Sequence, residues 1–219
     1  MQFPFSYIQN NPTNGLVGWW RLNEGLGSNI RDSSPNNFTG VLVNSPTWVK
    51  GKFYRNALSL NSANSESVTI GTGTYPILCT TPITYSAWIN TNGAASNILT
   101  IIGGASQQHL QFRLTPPGNL QLVSENLGNI GQSTFLISDN IWYHVAASYD
   151  ILSNYEFYVN GILTNNGNNN VGLLPSQTLI GKNGQDPEYF NGYLNDVRIY
   201  NRILLPQEIL AIAEWRGAF

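Results

Sequence analysis

Paired carboxylates, histidines and activated nucleophiles are the groups with which this chain could do covalent chemistry. Retaining glycoside hydrolysis needs two carboxyl groups about 5–5.5 Å apart across the scissile bond. The nearest pair in sequence, Asp186 and Glu188, flanks Pro187 in a loop rich in glycine and asparagine. The sequence contains no Gly-x-Ser-x-Gly elbow, no His-Glu-x-x-His pair and no phosphate-cradling glycine loop. His109 and His144 fall on separate strand-like runs, and Cys79 is the single cysteine. Thiols therefore build no disulfide within the chain and no metal centre.

The elements that must position these residues are short strands. Trp142–Asp150, Glu156–Gly161, Leu179–Gly181 and Phe190–Arg202 alternate apolar with polar residues, the period of a half-buried strand. Turn clusters punctuate the chain at Asn10–Pro12, Ser33–Asn37, Gly71–Gly73, Asn92–Gly93, Pro116–Gly118, Asn126–Gly131 and Asn165–Asn170. Leu205–Trp215 carries Pro206 near its first turn and apolar residues at helical spacing, which predicts one terminal helix. A length of 219 residues suits a single all-β domain. We place it at 16–219, after an N-terminal extension over 1–15.

Composition narrows the partners. Only 10% of residues are charged, against about 25% in ordinary domains. The solvated face is therefore built from Asn, Ser, Thr, Gln and Gly, which suits neutral hydroxylated ligands. A net charge of −2 excludes nucleic acid, whose recognition needs a basic footprint. No run reaches the ~18 apolar residues of a spanning helix, so membrane insertion is excluded too. The start lacks a basic segment and Pro4 interrupts its apolar run, so no signal peptide is visible.

Several segments carry a family resemblance in order. They are Leu16-Val-Gly-Trp-Trp-Arg-Leu-Asn-Glu-Gly25, Arg31-Asp-Ser-Ser-Pro-Asn-Asn37, Gly51-Lys-Phe-Tyr-Arg-Asn-Ala-Leu-Ser-Leu-Asn61, Ile83-Thr-Tyr-Ser-Ala-Trp-Ile89, Trp142-Tyr-His-Val-Ala146 and Phe190-Asn-Gly-Tyr-Leu-Asn-Asp-Val-Arg-Ile-Tyr-Asn-Arg202. Together they resemble the laminin-G-like jelly roll of the concanavalin A-like lectin/glucanase superfamily. The resemblance implies an all-β jelly-roll sandwich of two antiparallel sheets with one short C-terminal helix. It puts Trp20, Trp88, Trp142 and a hydrogen-bonded structural His144 in the core. The Glu-x-Asp-x-Glu strand of the superfamily's laminarinase-type enzymes does not occur here.

The resemblance also implies a structural calcium, with Asp32 and Asp196 as carboxylate ligands, Asn37 as an oxygen donor and Glu24 as a further ligand. Calcium takes 6–8 oxygens. Asn195, where the family often has Asp, lowers the available charge; the bland alternative is an Asx-turn at Asp32 and an arginine partner for Asp196. For the ligand, jelly rolls use the concave sheet and the loops at one end. Asn183, Gln185, Asp186 and Tyr189 combine amides, a carboxylate and a ring in one loop. Gln111 and Arg113 share a strand face opposite Leu110, Phe112 and Leu114. The expected function is non-catalytic recognition of carbohydrate, best a neutral glycan, outside the cell or on a virion surface. A structural or adhesive module attached to a larger assembly is the alternative from another class.

Overall fold

The computed structural model describes residues 11–71, 82–94, 99–105, 109–124, 128–170, 177–184 and 188–215, without the side chains of residues 54 and 99. Cys79, Gln185 and Asp186 lie outside them.

The strands run in chain order as β1 (Leu16–Trp20), β2 (Asn29–Ile30), β3 (Gly40–Val43), β4 (Thr47–Lys50), β5 (Asn56–Leu60), β6 (Ser67–Ile70), β7 (Ile83–Thr91) and β8 (Leu99–Gly104). Then come β9 (Leu110–Thr115), β10 (Asn119–Ser124), β11 (Gly128–Leu136), β12 (Trp142–Tyr149), β13 (Asn154–Val159), β14 (Ile162–Asn168), β15 (Thr178–Ile180) and β16 (Gly192–Tyr200). A helix α1 (Pro206–Glu214) follows. The described strands form two eight-stranded sheets in which every pairing is antiparallel. The first runs β14-β13-β12-β7-β16-β5-β4, with β1 also on β16; the second runs β11-β10-β9-β8-β15-β6-β3-β2. This is the all-β jelly-roll sandwich expected from the sequence.

Period-two alternation decides which side chains meet between the sheets. Ile83, Tyr85, Ala87 and Ile89 of β7 point inward with Tyr143, Val145, Ala147 and Tyr149 of β12. They face Phe112, Leu114, Leu120 and Leu122 of the other sheet in one apolar cluster. Burying such side chains is the main stabilising term, roughly 1.5–3 kcal/mol each. A second cluster forms on the outer face of the first sheet, where α1 lays Ile209 and Ile212 over Leu16, Trp19, Ala146, Tyr158 and Tyr200. The helix stands where the sequence placed it, and Glu208 caps its start by accepting from the Leu205 N–H at 2.9 Å.

Two expectations are corrected. Trp88 and Trp142 alternate with inward residues and therefore stand on the outer face; of the three tryptophans assigned to the core, Trp20 alone joins the inner cluster. Its indole donates to the Phe38 carbonyl at 2.7 Å. Asn165–Asn170 is no turn, since most of it continues β14. Asn165 donates to the Gln132 carbonyl at 2.8 Å and Asn169 to that of Asn129 at 2.9 Å, so side-chain amides tie the two edge strands together. Among the described residues no helix is long and apolar enough to cross a membrane.

Candidate functional site

The residues expected to bind ligand are brought together in part. Gln111 and Arg113 share the outer face of β9, and Asn183 and Glu188 lie beside them. Arg113 pairs with Glu188 at 3.0 Å, and Gln111 donates to Glu188 at 2.8 Å and to Thr100 at 2.6 Å. Gln121 accepts from Arg113 Nε at 2.9 Å, while the Asn183 amide reaches Glu188 at 3.4 Å. Gln111 and Asn183 are fully buried. This network joins loop to sheet, so a ligand seated here must replace bonds already made. Tyr189 is half-buried beside Lys182, whose ammonium stands 5.6 Å from the ring centroid.

The four residues expected around calcium lie on neighbouring segments. Asp32 accepts from the Trp19, Ser34 and Phe38 N–H groups and from the Ser34 hydroxyl, all at 2.7–2.8 Å. Asp196 sits at a bulge in β16 with φ of 54°. Its carboxylate takes the Trp19 indole and two nitrogens of Arg198, the closer at 2.8 Å. Asn37 turns the chain in the left-handed region, and its carbonyl accepts from the Thr39 N–H at 2.9 Å. Glu24 Oε1 accepts from the Arg31 N–H at 3.0 Å, but Oε2 is buried with no donor among the described residues. No group of three His, Cys, Asp or Glu side chains able to hold a metal occurs among the described residues.

His144 corrects another expectation. It is fully buried, yet it faces outward from the sheet against Trp88, ring centroids 5.6 Å apart. Neither ring nitrogen has a partner among the described residues. Burial lowers its pKa to about 3; the attraction of Asp196 opposes this and the repulsion of Arg198 adds to it.

Sequence reasoning missed a cleft at one end of the same outer face. Trp142, Asn90 and Tyr193 are directly paired across β12, β7 and β16, and Tyr193 pairs onward with Ser59 of β5. Their side chains thus form one row. The Trp142 and Tyr193 ring centroids stand 6.4 Å apart, and Tyr193 is 37% exposed. Asn61, Asn92, Asn140 and Asn191 complete a cleft of about 190 Å³ around Asn90 and Tyr193, and the Trp142 ring stands next to Tyr193 outside that lining. The Asn191 amide donates to the Asn92 carbonyl at 2.8 Å. Among the described residues the side-chain amides of Asn90, Asn92 and Asn140 make no hydrogen bond, so each offers both a donor and an acceptor. Gly192 carries φ of 133°, and a Cβ there would come within 2.2 Å of the Asn90 carbonyl oxygen; the close approach of β16 to β7 requires glycine. Beside the cleft, the Asp139 carboxylate accepts from the Thr91 hydroxyl and the Ala94 N–H; burial raises its pKa, but these bonds and the Gly93 N–H lower it further. The signal for the row was period-two phase: Asn90 and Trp142 alternate with Ile89 and Tyr143.

A larger groove of about 470 Å³ lies farther along this sheet, between Ser148, Glu156, Asn166 and Ile203. Its one ring, Tyr155, packs on the inner cluster beside Phe157, centroids 5.8 Å apart. The groove therefore offers amides and carboxylates without an aromatic face.

Known proteins agree with the architecture. Domain 4 of AbnA, a GH43 extracellular arabinanase from Geobacillus stearothermophilus solved with arabinotriose, superposes with a TM-score of 0.73 at 20% identity. That match covers 91% of this chain and 98% of the domain. The binding domain of Paraclostridial Mosquitocidal Protein 1 gives 0.70 at 19% identity over 92% of this chain and 52% of its own. A structure of botulinum neurotoxin type C, whose cell entry depends on two ganglioside molecules, gives 0.72 at 14% identity over 94% and 52%. The chain thus spans about half of the toxin chains it matches. No curated protein matches it in sequence. The laminin-G model of the concanavalin A-like lectin/glucanases superfamily matches residues 61–210, most of the chain, and the chain belongs to that superfamily.

Proposed function

We propose that this chain is a non-catalytic glycan-recognition module that seats a neutral sugar in the asparagine cleft. The observation that carries the reading is the Trp142–Asn90–Tyr193 row. Two rings offer apolar faces to sugar C–H groups, and the amides around them fix hydroxyls without charge, the mix expected of a small-ligand site. The described carboxylates of the expected loop and turn are occupied by structural partners, which supports binding without turnover. Similarity to a domain solved with arabinotriose and to a toxin that engages gangliosides supports this reading, and the module is placed outside the cell or on a virion surface as part of the same proposal. A glycan array with wild type and Trp142→Ala, read beside an assay for released reducing ends, tests it.

Two further readings rest on separate observations. Ile162, Leu163 and Leu210 are exposed where β14 meets α1, which favours attachment to a larger assembly in addition to sugar binding. The buried, donorless Glu24 Oε2 favours a structural cation. Because Asp32 and Asp196 are filled, calcium would have to take Glu24 with amide and backbone oxygens such as those of Asn37.

A further inference from the structure

Two carboxylates stand behind the wall of the asparagine cleft, whose described lining residues carry no charge themselves. On one side the wall is Thr91, Asn92 and Asn140. Asp139 Oδ1 accepts from the Thr91 hydroxyl at 3.0 Å and from the Ala94 N–H at 2.9 Å, so it spans Asn92 and Gly93 and closes their turn. The Asn140 N–H donates to the Thr91 carbonyl at 2.9 Å, and the Asn92 N–H to the Asn191 carbonyl at 3.0 Å. Elsewhere on the wall, the Asn61 N–H donates to Glu66 Oε2 at 2.8 Å. Glu66 Oε1 accepts from the Asn64 amide at 3.0 Å, and the residue is only 6% exposed.

This placement has two consequences for a ligand. The first is order. Hydrogen bonds to a charged acceptor are about twice as strong as neutral ones, and here they fix the backbone that presents Asn61, Asn92 and Asn140. Amides held before a ligand arrives lose less freedom when it binds. The second is charge. Among the described residues neither Asp139 nor Glu66 forms an ion pair. Salt screens charges beyond ~8–10 Å, whereas these two stand one hydrogen bond behind the lining. A hydroxyl group meets no repulsion there, and the carboxylate of an acidic sugar does.

We infer that Asp139 and Glu66 are the specificity-determining residues of the cleft, ordering its amides for hydroxyl groups and turning acidic sugars away. The inference rests on the proposed cleft and assigns its preference for neutral ligands to two side chains outside its lining. Its test follows the Asn90 side-chain amide and the Trp142 indole N–H by ¹⁵N NMR during titration with glucose and with glucuronic acid. Wild type is expected to bind glucose more tightly, and added sodium chloride to narrow the difference. Asp139→Asn and Glu66→Gln keep an accepting oxygen and remove the charge. Each should raise the affinity for glucuronic acid relative to glucose by about two- to fivefold, the range of one exposed charge pair. Asp139→Ala removes the acceptor too and should weaken glucose binding by about tenfold; Asp139→Asn should restore most of that loss. An Asp139→Asn, Glu66→Gln double variant with the wild-type ratio, while both signals still answer glucose, overturns the inference and leaves the cleft intact. Glucose affinity untouched by Asp139→Ala would overturn the ordering role in the same way. Wild-type signals silent to both sugars would instead count against the cleft, and the inference would fall with it.

Discussion

Trp142 and Tyr193, far apart in sequence, stand with ring centroids 6.4 Å apart on either side of Asn90. Three strands in register make that row, and α1 covers Ala146, Tyr158 and Tyr200 elsewhere on the same face. The row carries the rings and amides that the larger groove lacks as a pair.

His144 makes acid stability specific. Its folded pKa of about 3 lies below the ordinary 6.5, so the unfolded chain binds the extra proton between those values. Stability is then complete above pH 6.5 and falls as pH drops toward 3, by up to about 1.4 kcal/mol per pH unit. His144→Phe should flatten the wild-type slope between pH 6.5 and about 5.5, above the range in which ordinary carboxylates protonate. Parallel pH–melting profiles for the two proteins would show that His144 titrates normally.

Asp196 compensates a fully buried guanidinium. Arg198 is 0% exposed, and removing one partner of such a pair costs about 3–5 kcal/mol. Asp196→Ala should lose that much in urea unfolding, whereas Asp196→Ala with Arg198→Met should recover part of it. A single variant within 1 kcal/mol of wild type, as an order-of-magnitude threshold, would mean that water reaches the guanidinium.

Calcium separates Asp32 from Glu24. Asp32→Ala strands three N–H donors at about 1–3 kcal/mol each and should destabilise equally in EDTA and in calcium. If a cation uses Glu24, EDTA lowers the melting temperature of wild type and not of Glu24→Gln. Superimposable wild-type curves in EDTA and calcium, from metal-stripped protein, remove the cation.

The loop around Asn183 and Tyr189 is the rival ligand site. With Glu188 held by Arg113 and Gln111, Tyr189→Ala should leave glycan affinity within about twofold, a change of ~0.4 kcal/mol. Affinity lost in Tyr189→Ala but retained in Trp142→Ala would move recognition to the loop.

Much of the fold was legible because it depends on local alternation and turn chemistry, as in Trp142–Tyr149 and the helix with Pro206 at its start. The shared face of Gln111 and Arg113 was readable for the same reason. What escaped depended on partners distant in sequence. The Asp196 bulge shifts one residue of β16 against β7 and leaves no mark in the pattern. Glu188 was noticed as half of a carboxylate pair, yet its partners are Arg113 and Gln111 on β9 and the Asn183 amide. The family resemblance put Trp88 and Trp142 in an inner core that their phase in the strand denies them. Asn165 to Asn168 has turn composition but lies on an edge strand, where amides can bond across to the other sheet.

Calorimetric titration with a neutral oligosaccharide selected by glycan array tests the central claim most directly. Wild type should bind with millimolar to micromolar affinity, ~−4 to −8 kcal/mol. Trp142→Ala and Tyr193→Ala should each weaken binding by about tenfold or more while melting within a few degrees of wild type, as expected of partly exposed residues. Unchanged affinity in the Trp142→Ala, Tyr193→Ala double variant would contradict the account.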